Sequence, residues 1–366
     1  MPELRDKPLN REPETDELIS SFITHKNGYD RNHCLFPSIN ADNHRVRIDG
    51  LVNNELELSV DQLRHDFDQH SVVCALQCAG NRRHTMRTKL KEVSGIDWFD
   101  AAVMNCKWTG PRLRDILNRA ELALSDDEQK RAFAAFACGE ALCQDDDWYG
   151  ASVELQRAMS VDAEIILALQ MNDEPLTMEH GYPVRVITPG IAGARAVKWL
   201  DKITVQMTES VNHYQQRDYK VLPPEATDAD AAEKFWDLTP GVQAMPVNSV
   251  VAIPRNGSTV KRNADGMIKV SGYALPSGDD GPITKVEVSG DEGRTWKEAD
   301  ILHHDGESRW SWTLWEAKIS VEPGNGRVIF SRATDKAGNV QPDEPMWNLR
   351  GVCYNGFGEA SGLTVD

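Results

Sequence analysis

Cys78 is the residue of this chain whose surroundings most clearly suggest chemistry. It lies in the segment VVCALQCAGNRRHTMRTKLK, residues 72–91. From Arg82 to Lys91 this segment carries five Lys or Arg side chains and no acid, although the whole chain has a formal net charge of −17. Because Arg82 and Arg83 follow so closely, we expect them to favour the thiolate form of Cys78. A thiolate is a soft metal ligand and a nucleophile, whereas most neutral cysteines are simply small buried side chains.

The residues before Cys78 predict a buried strand that ends in a turn. SVVCALQC is apolar and β-branched until Gly80 and Asn81 interrupt the pattern. Along a strand, Cys74 and Cys78 would lie about 13 Å apart and could not bind one metal ion, whereas in a helix they would be neighbours. We favour the strand. At most one of the two cysteines is then a metal ligand, and Cys78, at the turn, is the better candidate.

Helix and strand patterns alternate in the part of the chain that surrounds this segment. We predict strands in HRVRIDGLV, AEIILALQMN and PVRVITPG. We predict helices in LSVDQLRHDF after Ser59, and in GPRLRDILNRAEL, which opens at Gly110-Pro111. These patterns indicate a mixed α/β domain over residues 29–240, preceded by a polar N-terminal arm at residues 1–28.

The pattern changes after a Pro- and acid-rich segment at residues 221–245. MIKVSGYAL, ITKVEVSGDEGRTWKEADI, SRWSWTLWEAKISV and GRVIFSRATDKAGN alternate like strands and are separated by Gly, Asp and Asn turns. Short strands at such spacing are typical of an antiparallel sandwich. We therefore predict an all-β, immunoglobulin-like domain over residues 246–366, which makes the chain α+β overall.

Composition narrows the classes of protein to consider. The 366 residues contain no apolar run near the roughly 20 residues of a membrane span, so we expect no membrane partner. The acidic balance, with a pI of about 5.1, argues against nucleic-acid binding. The N-terminus does not resemble a secretory signal. Seven scattered cysteines predict free thiols and an intracellular, reducing location, although the compartment itself is unknown.

LQCAGNRR, at residues 76–83, closely resembles the signature of the sulfite oxidase family of molybdenum enzymes. That family also includes the molybdenum domain of eukaryotic nitrate reductases. Further segments match the family in the same order: RNH at 31–33, HGYPVRVITPGIAGARAVKWL at 180–200, QRDYK at 216–220 and WNLRG at 347–351. The resemblance covers residues 28 to about 355. It implies a molybdopterin-binding domain followed by a β-sandwich used for homodimer formation.

The resemblance also implies roles for single residues. Cys78 matches the molybdenum ligand, and a molybdopterin dithiolene would supply two more sulfurs. Three arginines match those around the substrate anion, and they would repel one another unless an anion neutralised them. The substrate residues implied in this way are Arg31, Arg83, Arg350, Tyr219 and Trp98. The cofactor contacts implied are Tyr29, Asp30, Arg31, Asn32, His33, His180, Arg185, Ala196, Val197 and Lys198.

Two positions depart from the family pattern. Ser94 stands where several relatives carry a cation, so that one contact is lost or is made by Lys91 instead. An acid contacts the pterin in relatives, but here residues 145–147 are all Asp and the sequence does not distinguish among them. The chain has no room for the N-terminal haem domain of the animal enzymes and no His-Pro-Gly-Gly pattern. It therefore resembles the haem-free plant or fungal type.

The function implied by the resemblance is the oxidation of sulfite to sulfate. An oxygen atom would pass from Mo(VI) to the sulfite sulfur, and two electrons would then pass to oxygen or to an unknown external acceptor. The first alternative is nitrate reduction. It is disfavoured because nitrate reductases resemble NLMG where this chain has NLRG, and because Arg350 adds positive charge that suits a dianion. The second alternative is a non-catalytic pterin- or anion-binding protein.

Overall fold

The structure is a computed structural model that describes residues 8–26 and 28–366. Two groups of strands follow each other along the chain, and we call them the first and second domains. The first domain contains the strands β1 (Arg45–Gly50), β2 (Leu56–Ser59), β3 (Gln69–Gln77), β4 (Val103–Pro111), β5 (Phe133–Cys138), β6 (Tyr149–Glu154), β7 (Ile166–Ala168), β8 (Gln170–Met171), β9 (Glu174–Pro175), β10 (Arg185–Ile187) and β11 (Lys202–Gln206).

The helices that precede or belong to the first domain are short. They are α1 (Thr15–Leu18), α2 (Val60–His65), α3 (Arg83–Lys89), α4 (Leu113–Ala120), α5 (Asp126–Gln129) and α6 (Leu155–Met159), with a 3₁₀ turn at Gly193–Arg195 and a π-helical turn at Tyr214–Asp218. The predicted start of α2 is confirmed, because Ser59 forms a capping box with Gln62. The predicted start of α4 at Gly110 is wrong. β4 continues its pairing with β3 as far as Pro111, so the helix begins only at Leu113.

Three sheets build the first domain. Five strands form the order β2-β1-β11-β5-β6, in which β1 and β11 are parallel. Four strands form the order β3-β4-β8-β9, and β7 pairs with β10. AEIILALQMN, predicted as one strand, is divided at Leu169, because β7 and β8 join different sheets. α4 buries Leu113, Ile116 and Leu117 in the core that also contains the inner faces of β1 and β11.

β3 carries the chain to Cys78 and separates two hydrophobic clusters. Its alternate residues Val72, Cys74 and Leu76 pack in the cluster that also contains Cys78. Val73 and Ala75, on the opposite face, pack against residues of the second domain. The strand is paired with β4 along its whole length. Cys78 is therefore held at the end of a strand supported on both faces.

The second domain is a sandwich of two sheets, as predicted. Its strands are β12 (Asn248–Ile253), β13 (Thr259–Val260), β14 (Met267–Leu275), β15 (Ile283–Ser289), β16 (Lys297–Glu298), β17 (Asp300–Leu302), β18 (Thr313–Ser320), β19 (Gly324–Asp335) and β20 (Gly358–Val365), preceded by α7 (Ala229–Ala232) and a 3₁₀ turn at Trp236–Leu238. The sheet orders are β12-β14-β18-β17 and β13-β20-β19-β15-β16. Trp315, Val286 and Ile329 are fully buried between them.

The described part of the N-terminal arm packs on both domains. Leu18 and Phe22 are buried in a cluster with Trp312 of the second domain. Glu12 accepts hydrogen bonds from the backbone N–H groups of Phe99 and Ala101 in the first domain. The arm was predicted only to be polar, and its few apolar residues anchor it.

The prediction of seven free thiols is wrong for one pair. Cys34 and Cys143 form a disulfide across 109 residues of sequence, within an isolated antiparallel bridge that brings their Cα atoms to 4.0 Å. Sequence spacing gives no sign of this contact. The cysteines therefore no longer support the expected reducing location. In the described ranges, no helix is long and apolar enough to cross a membrane.

Candidate active site

A cavity of about 700 Å³ opens in the first domain beside Cys78. The structure brings most of the predicted site residues to its wall, and those that line it are Tyr29, Asp30, Arg31, Asn32, His33, Cys78, His180, Arg185, Ala196, Lys198 and Tyr219. These residues come from four separate segments of the chain. The fold therefore assembles one site from motifs that lie up to 190 residues apart (Tyr29 to Tyr219).

The thiol of Cys78 lies in the turn after β3 and is buried. Its Sγ accepts a hydrogen bond from the backbone N–H of Gly80 at 3.4 Å. Burial raises the pKa of this thiol, and the opposing charges of Arg83 and Arg31 do not overcome that effect. Arg83 therefore favours the thiolate as expected, but burial outweighs its effect on the pKa of Cys78. A metal cation bound at Sγ would make the thiolate the stable form, because a coordinating thiol loses its proton.

Arg82 takes no part in the cavity, contrary to the prediction that it acts on Cys78. Its backbone is left-handed, with φ 67°, so its side chain diverges from that of Arg83. The buried guanidinium donates to Asn248 Oδ1 at 2.7 Å and to the carbonyls of Gly356 and Phe357, each at 2.6 Å. Arg82 thus joins the Cys78 turn to the second domain.

Arg83 and Arg350, both predicted as substrate residues, are not among the residues that line the cavity. Arg83 is buried and donates to the carbonyls of Arg350 at 3.1 Å and Ile96 at 2.8 Å. Burial lowers the pKa of Arg83, while the charges of Cys78 and Tyr219 oppose that shift. Arg350 comes from the segment that precedes β20. The second domain thus contributes an arginine to the region around Cys78.

Trp98 and Val197 are also absent from the cavity wall. Trp98 is buried in the cluster that contains Cys78, with the ring of Tyr29 edge-on at 6.4 Å. Among the described residues its indole Nε1 has no hydrogen-bond partner. Val197 is fully buried in the main core of the first domain. The structure therefore places Trp98 near the site and gives Val197 a packing position.

Asp218 is a site residue that the sequence analysis missed. Its carboxylate forms an ion pair with Arg350 and lies 3.5 Å from His33 Nε2. The three predicted arginines therefore do not rely on a bound anion alone, because Asp218 already neutralises one of them. The only signal in the sequence is its place next to Tyr219 in the QRDYK segment.

Tyr219 presents its hydroxyl to the cavity. The hydroxyl oxygen lies 2.6 Å from His33 Nε2. Burial raises the pKa of Tyr219, so the phenol is neutral. Arg195, also missed by the sequence analysis, is fully buried and donates to the backbone carbonyl of Tyr219 at 3.3 Å. The π-helical turn before Tyr219, a type of structure frequent at functional sites, is thus held by a buried cation.

Arg185 and Lys198 line the cavity near the HGYPVRV segment, and neither forms a salt bridge with a described carboxylate, although Asp30 and Glu179 lie nearby. Arg185 donates to the carbonyls of His180 and Ala196, each at 3.0 Å, and its buried Nε has no partner among the described residues. Burial and the charge of Arg185 lower the pKa of Lys198 to about 7. Burial also lowers the pKa of His180 to about 3, so this histidine is neutral. Such a set of donors suits an anionic ligand such as a phosphate.

Asp30 adds a carboxylate to the cavity wall. This carboxylate already forms an ion pair with Arg11, at 2.7 Å. The wall is also tight at Gly193, where an added Cβ would lie 2.8 Å from Tyr29 Oη. Glycine at this position therefore lets the Tyr29 hydroxyl pack directly against the backbone.

The structure distinguishes the three consecutive aspartates. None of them lines the cavity. Asp146 accepts hydrogen bonds from Asn212 and from the backbone of His213, each at 2.9 Å, and so holds the turn that leads to Tyr219.

Ser94 is exposed, and Lys91 lies over the ring of Trp347 at 4.5 Å rather than in the cavity. Neither position supplies the additional cation of the family pattern to the wall.

The donor set fits a molybdenum–molybdopterin group. No group of three or more His, Cys, Asp or Glu side chains in the described part of the chain could hold a metal ion. A metal at Cys78 would therefore take most of its ligands from a cofactor. Cys78 offers one soft sulfur, and Arg185 and Lys198 offer cations for a phosphate.

Comparison with known proteins agrees with this geometry. Residues 33–214 match the family described as "Oxidoreductase molybdopterin binding domain", and residues 239–359 match "Mo-co oxidoreductase dimerisation domain". The chain is 40% identical over 360 residues to "Sulfite oxidase, mitochondrial" of Rattus norvegicus, a match that covers 96% of this chain and 63% of the relative. It is 34% identical over 362 residues to "Sulfite oxidase" of Arabidopsis thaliana, covering 94% of this chain and 89% of the relative.

A solved structure also shares the fold. The sulfane dehydrogenase SoxCD from Paracoccus pantotrophus superposes with a TM-score of 0.74, covering 98% of this chain and 88% of that chain. The sequence identity is 22%. This likeness confirms the predicted fold class, a mixed α/β domain followed by a β-rich domain. The chain spans about 63% of the length of the rat relative.

Proposed function

We propose that this chain, which belongs to the sulfite oxidase family of molybdenum oxidoreductases, oxidises sulfite to sulfate with a molybdenum–molybdopterin cofactor. The observation that carries the proposal is the cavity lined by Cys78, Tyr219 and Arg31, with the charge of Arg83 acting on Cys78 and Arg350 paired with Asp218 next to Tyr219. A single thiolate ligand with arginines nearby suits a metal whose substrate is an oxyanion.

Cofactor binding is divided between two parts of the cavity. Cys78 would hold the molybdenum, and Arg185, Lys198 and His180 would hold the pterin and its phosphate. When bound, the group supplies the two-electron redox change and the oxygen atom that the substrate gains. The buried Arg185 Nε, without a partner among the described residues, marks where a ligand acceptor fits.

Substrate binding falls to the arginines. Sulfite carries a charge near −2 and only accepts hydrogen bonds. The planar forks of Arg31, Arg83 and Arg350 donate to such an oxyanion more specifically than lysine does. Asp218 must release Arg350, at least partly, when the dianion binds. The buried hydroxyl of Tyr219 adds a neutral donor. Together these residues orient the substrate and stabilise its charge, which are the contributions a protein makes to cofactor chemistry.

The proposal extends to assembly and to electron transfer. The second domain matches a family of dimerisation domains, so we infer a homodimer formed through the β-sandwich. Light scattering coupled to size exclusion would show a mass near 82 kDa, twice the 40.9 kDa of the chain. The two electrons from each turnover leave to oxygen or to an external acceptor.

Turnover on two substrates tests the function. The protein, with its molybdenum content measured, is mixed with sulfite and ferricyanide, and separately with nitrate and a reduced viologen. Ferricyanide reduction that depends on sulfite and scales with molybdenum supports the proposal. Nitrate reduction without sulfite oxidation would show that Arg350 does not select the dianion. Inactivity on both, with the metal in place, would favour a binding protein.

A further inference from the structure

His33 connects two of the groups that face the substrate. Its Nδ1 lies 3.2 Å from Arg31 Nη2, and its Nε2 lies 2.6 Å from the hydroxyl oxygen of Tyr219. The ring is 6% exposed and packs against the ring of Tyr214, with centroids 4.0 Å apart. Both ring nitrogens are therefore in hydrogen bonds, and the ring has little freedom to turn.

The chemistry of these partners fixes where the imidazole proton lies. A guanidinium only donates hydrogen bonds, so the His33 nitrogen that faces Arg31 must offer a lone pair. Burial together with the charges of Arg31 and Arg350 lowers the pKa of His33 well below its usual value, so the ring is neutral and carries one N–H. That N–H is on Nε2, which faces Tyr219.

It follows that Tyr219 accepts from His33 and keeps its own proton free. The carboxylate of Asp218 is a second acceptor for Nε2, but at 3.5 Å it is farther than the 2.6 Å to Tyr219. Among the described residues, the Tyr219 hydroxyl has no other partner than His33, and its side chain lines the cavity with Cys78. The phenolic proton is therefore available only to a ligand in the cavity.

We propose that His33 is a positioning residue that, held as the Nε2–H tautomer by Arg31, fixes the Tyr219 hydroxyl as a hydrogen-bond donor towards the anion beside Cys78. The proposal rests on the proposed function for the identity of that anion. With the other tautomer, Tyr219 would donate to His33 and present a lone pair to the oxyanion. Because sulfite and sulfate only accept hydrogen bonds, that arrangement would repel them.

The tautomer can be read without measuring turnover. The holoenzyme is labelled with ¹⁵N in its histidine rings, and the His33 signals are identified by their loss in His33→Gln. We expect the chemical shifts of an unprotonated Nδ1 and a protonated Nε2. A protonated Nδ1, or a ring protonated at both nitrogens near neutral pH, would overturn the proposal.

A double-mutant cycle tests whether His33 acts through Tyr219. The variants are His33→Leu, which removes both ring contacts, Tyr219→Phe, and the combination, each assayed per bound molybdenum. We expect each single variant to lower kcat/KM for sulfite by about tenfold or more, the value of one hydrogen bond to a charged ligand. The double variant should lose no more than Tyr219→Phe alone. Losses that multiply would show that His33 acts independently of Tyr219.

A conservative replacement separates positioning from packing. His33→Gln keeps an amide N–H that can donate to Tyr219 and a carbonyl that can accept from Arg31, although it is not aromatic. It is expected to recover at least about tenfold of the kcat/KM lost in His33→Leu. Failure to recover, with molybdenum content and melting temperature equal to wild type, contradicts the proposal. If sulfite is not turned over at all, the proposed function fails, and the ¹⁵N shifts still decide the tautomer.

Discussion

Asp218 and Arg350 form an ion pair inside the candidate active site, although 132 residues separate them in sequence. The Asp218 side chain is 10% exposed, and the same carboxylate also lies 3.5 Å from His33. The ligand-free site therefore already contains a carboxylate that competes with any anion for Arg350. The affinity for substrate or product then depends on the difference in free energy between the Arg350–anion pair and the Arg350–Asp218 pair.

Removing that carboxylate should make the site retain its product. In Asp218→Asn we expect sulfate to bind at least about tenfold more tightly, because two unit charges a few ångströms apart interact by several kcal/mol near a protein surface. KM for sulfite should fall with it, and kcat should fall if sulfate release becomes slow. Sulfate inhibition constants and steady-state kinetics measure these effects. Asp237→Asn is the matched control, since Asp237 pairs with Arg217 at an exposed position. Unchanged sulfate affinity in Asp218→Asn would refute the competition.

Replacing Arg350, the other partner of this ion pair, should weaken substrate binding and lower the stability of the protein. Arg350→Met is expected to lower kcat/KM for sulfite by about 10- to 100-fold, the value of one charge-assisted hydrogen bond. It also leaves Asp218 buried without its partner, which lowers the melting temperature. The combination of Arg350→Met with Asp218→Asn should restore the melting temperature but not the activity. Thermal unfolding and kinetics on the three variants check this, and a double variant no more stable than Arg350→Met would contradict it.

Lys198 should make the stability of the ligand-free protein depend on pH and should contribute to cofactor binding. The pKa of this amine is lowered to about 7 in the ligand-free protein, from a usual value of 10.5. Between those values the unfolded chain binds more protons than the folded chain, so this group makes the ligand-free protein more stable as pH rises from about 7 to 10.5. Lys198→Met should remove that pH dependence from chemical unfolding and lower pterin content severalfold. Lys202→Met should do neither, because the amine of Lys202 is exposed and already paired with Asp49.

Arg82 should matter for folding rather than for catalysis. Arg82→Met removes the donor to the carbonyls of Gly356 and Phe357 and leaves the carboxylate of Asp100 without its ion-pair partner. We expect the free energy of unfolding to fall by about 3–5 kcal/mol, as when one partner of a buried ion pair is removed. Arg294→Met, whose exposed guanidinium pairs with the exposed carboxylate of Glu292, should cost about 1 kcal/mol or less. Equal effects of the two changes in denaturant unfolding would contradict the structure.

Local features of the fold could be predicted because they depend on neighbouring residues. The strand before Cys78 is visible in its β-branched residues, and its end is visible at Gly80. The start of α2 is visible in the spacing of Ser59 and Gln62, which form a capping box. Most cavity-lining residues were found because they lie in contiguous motifs. Such signals need no knowledge of distant contacts.

The features that were missed depend on distant partners or on one backbone angle. The left-handed conformation of Arg82 turns its side chain to the second domain, and nothing in a run of basic residues indicates it. The Asp218–Arg350 pair and the Cys34–Cys143 disulfide each join segments more than 100 residues apart. Both contacts follow from tertiary packing, which a single sequence does not display.

The most direct test of the central claim is the activity of Cys78→Ser. Sulfite-dependent ferricyanide reduction is measured on wild type and variant at equal pterin content, with circular dichroism to show that both are folded. If Cys78 holds the metal of a sulfite-oxidising site, the variant keeps its fold and its pterin but loses turnover by about 1,000-fold or more, since a first ligand of the reacting metal is removed. Turnover close to that of wild type would contradict the assignment of Cys78 and, with it, the proposed active site.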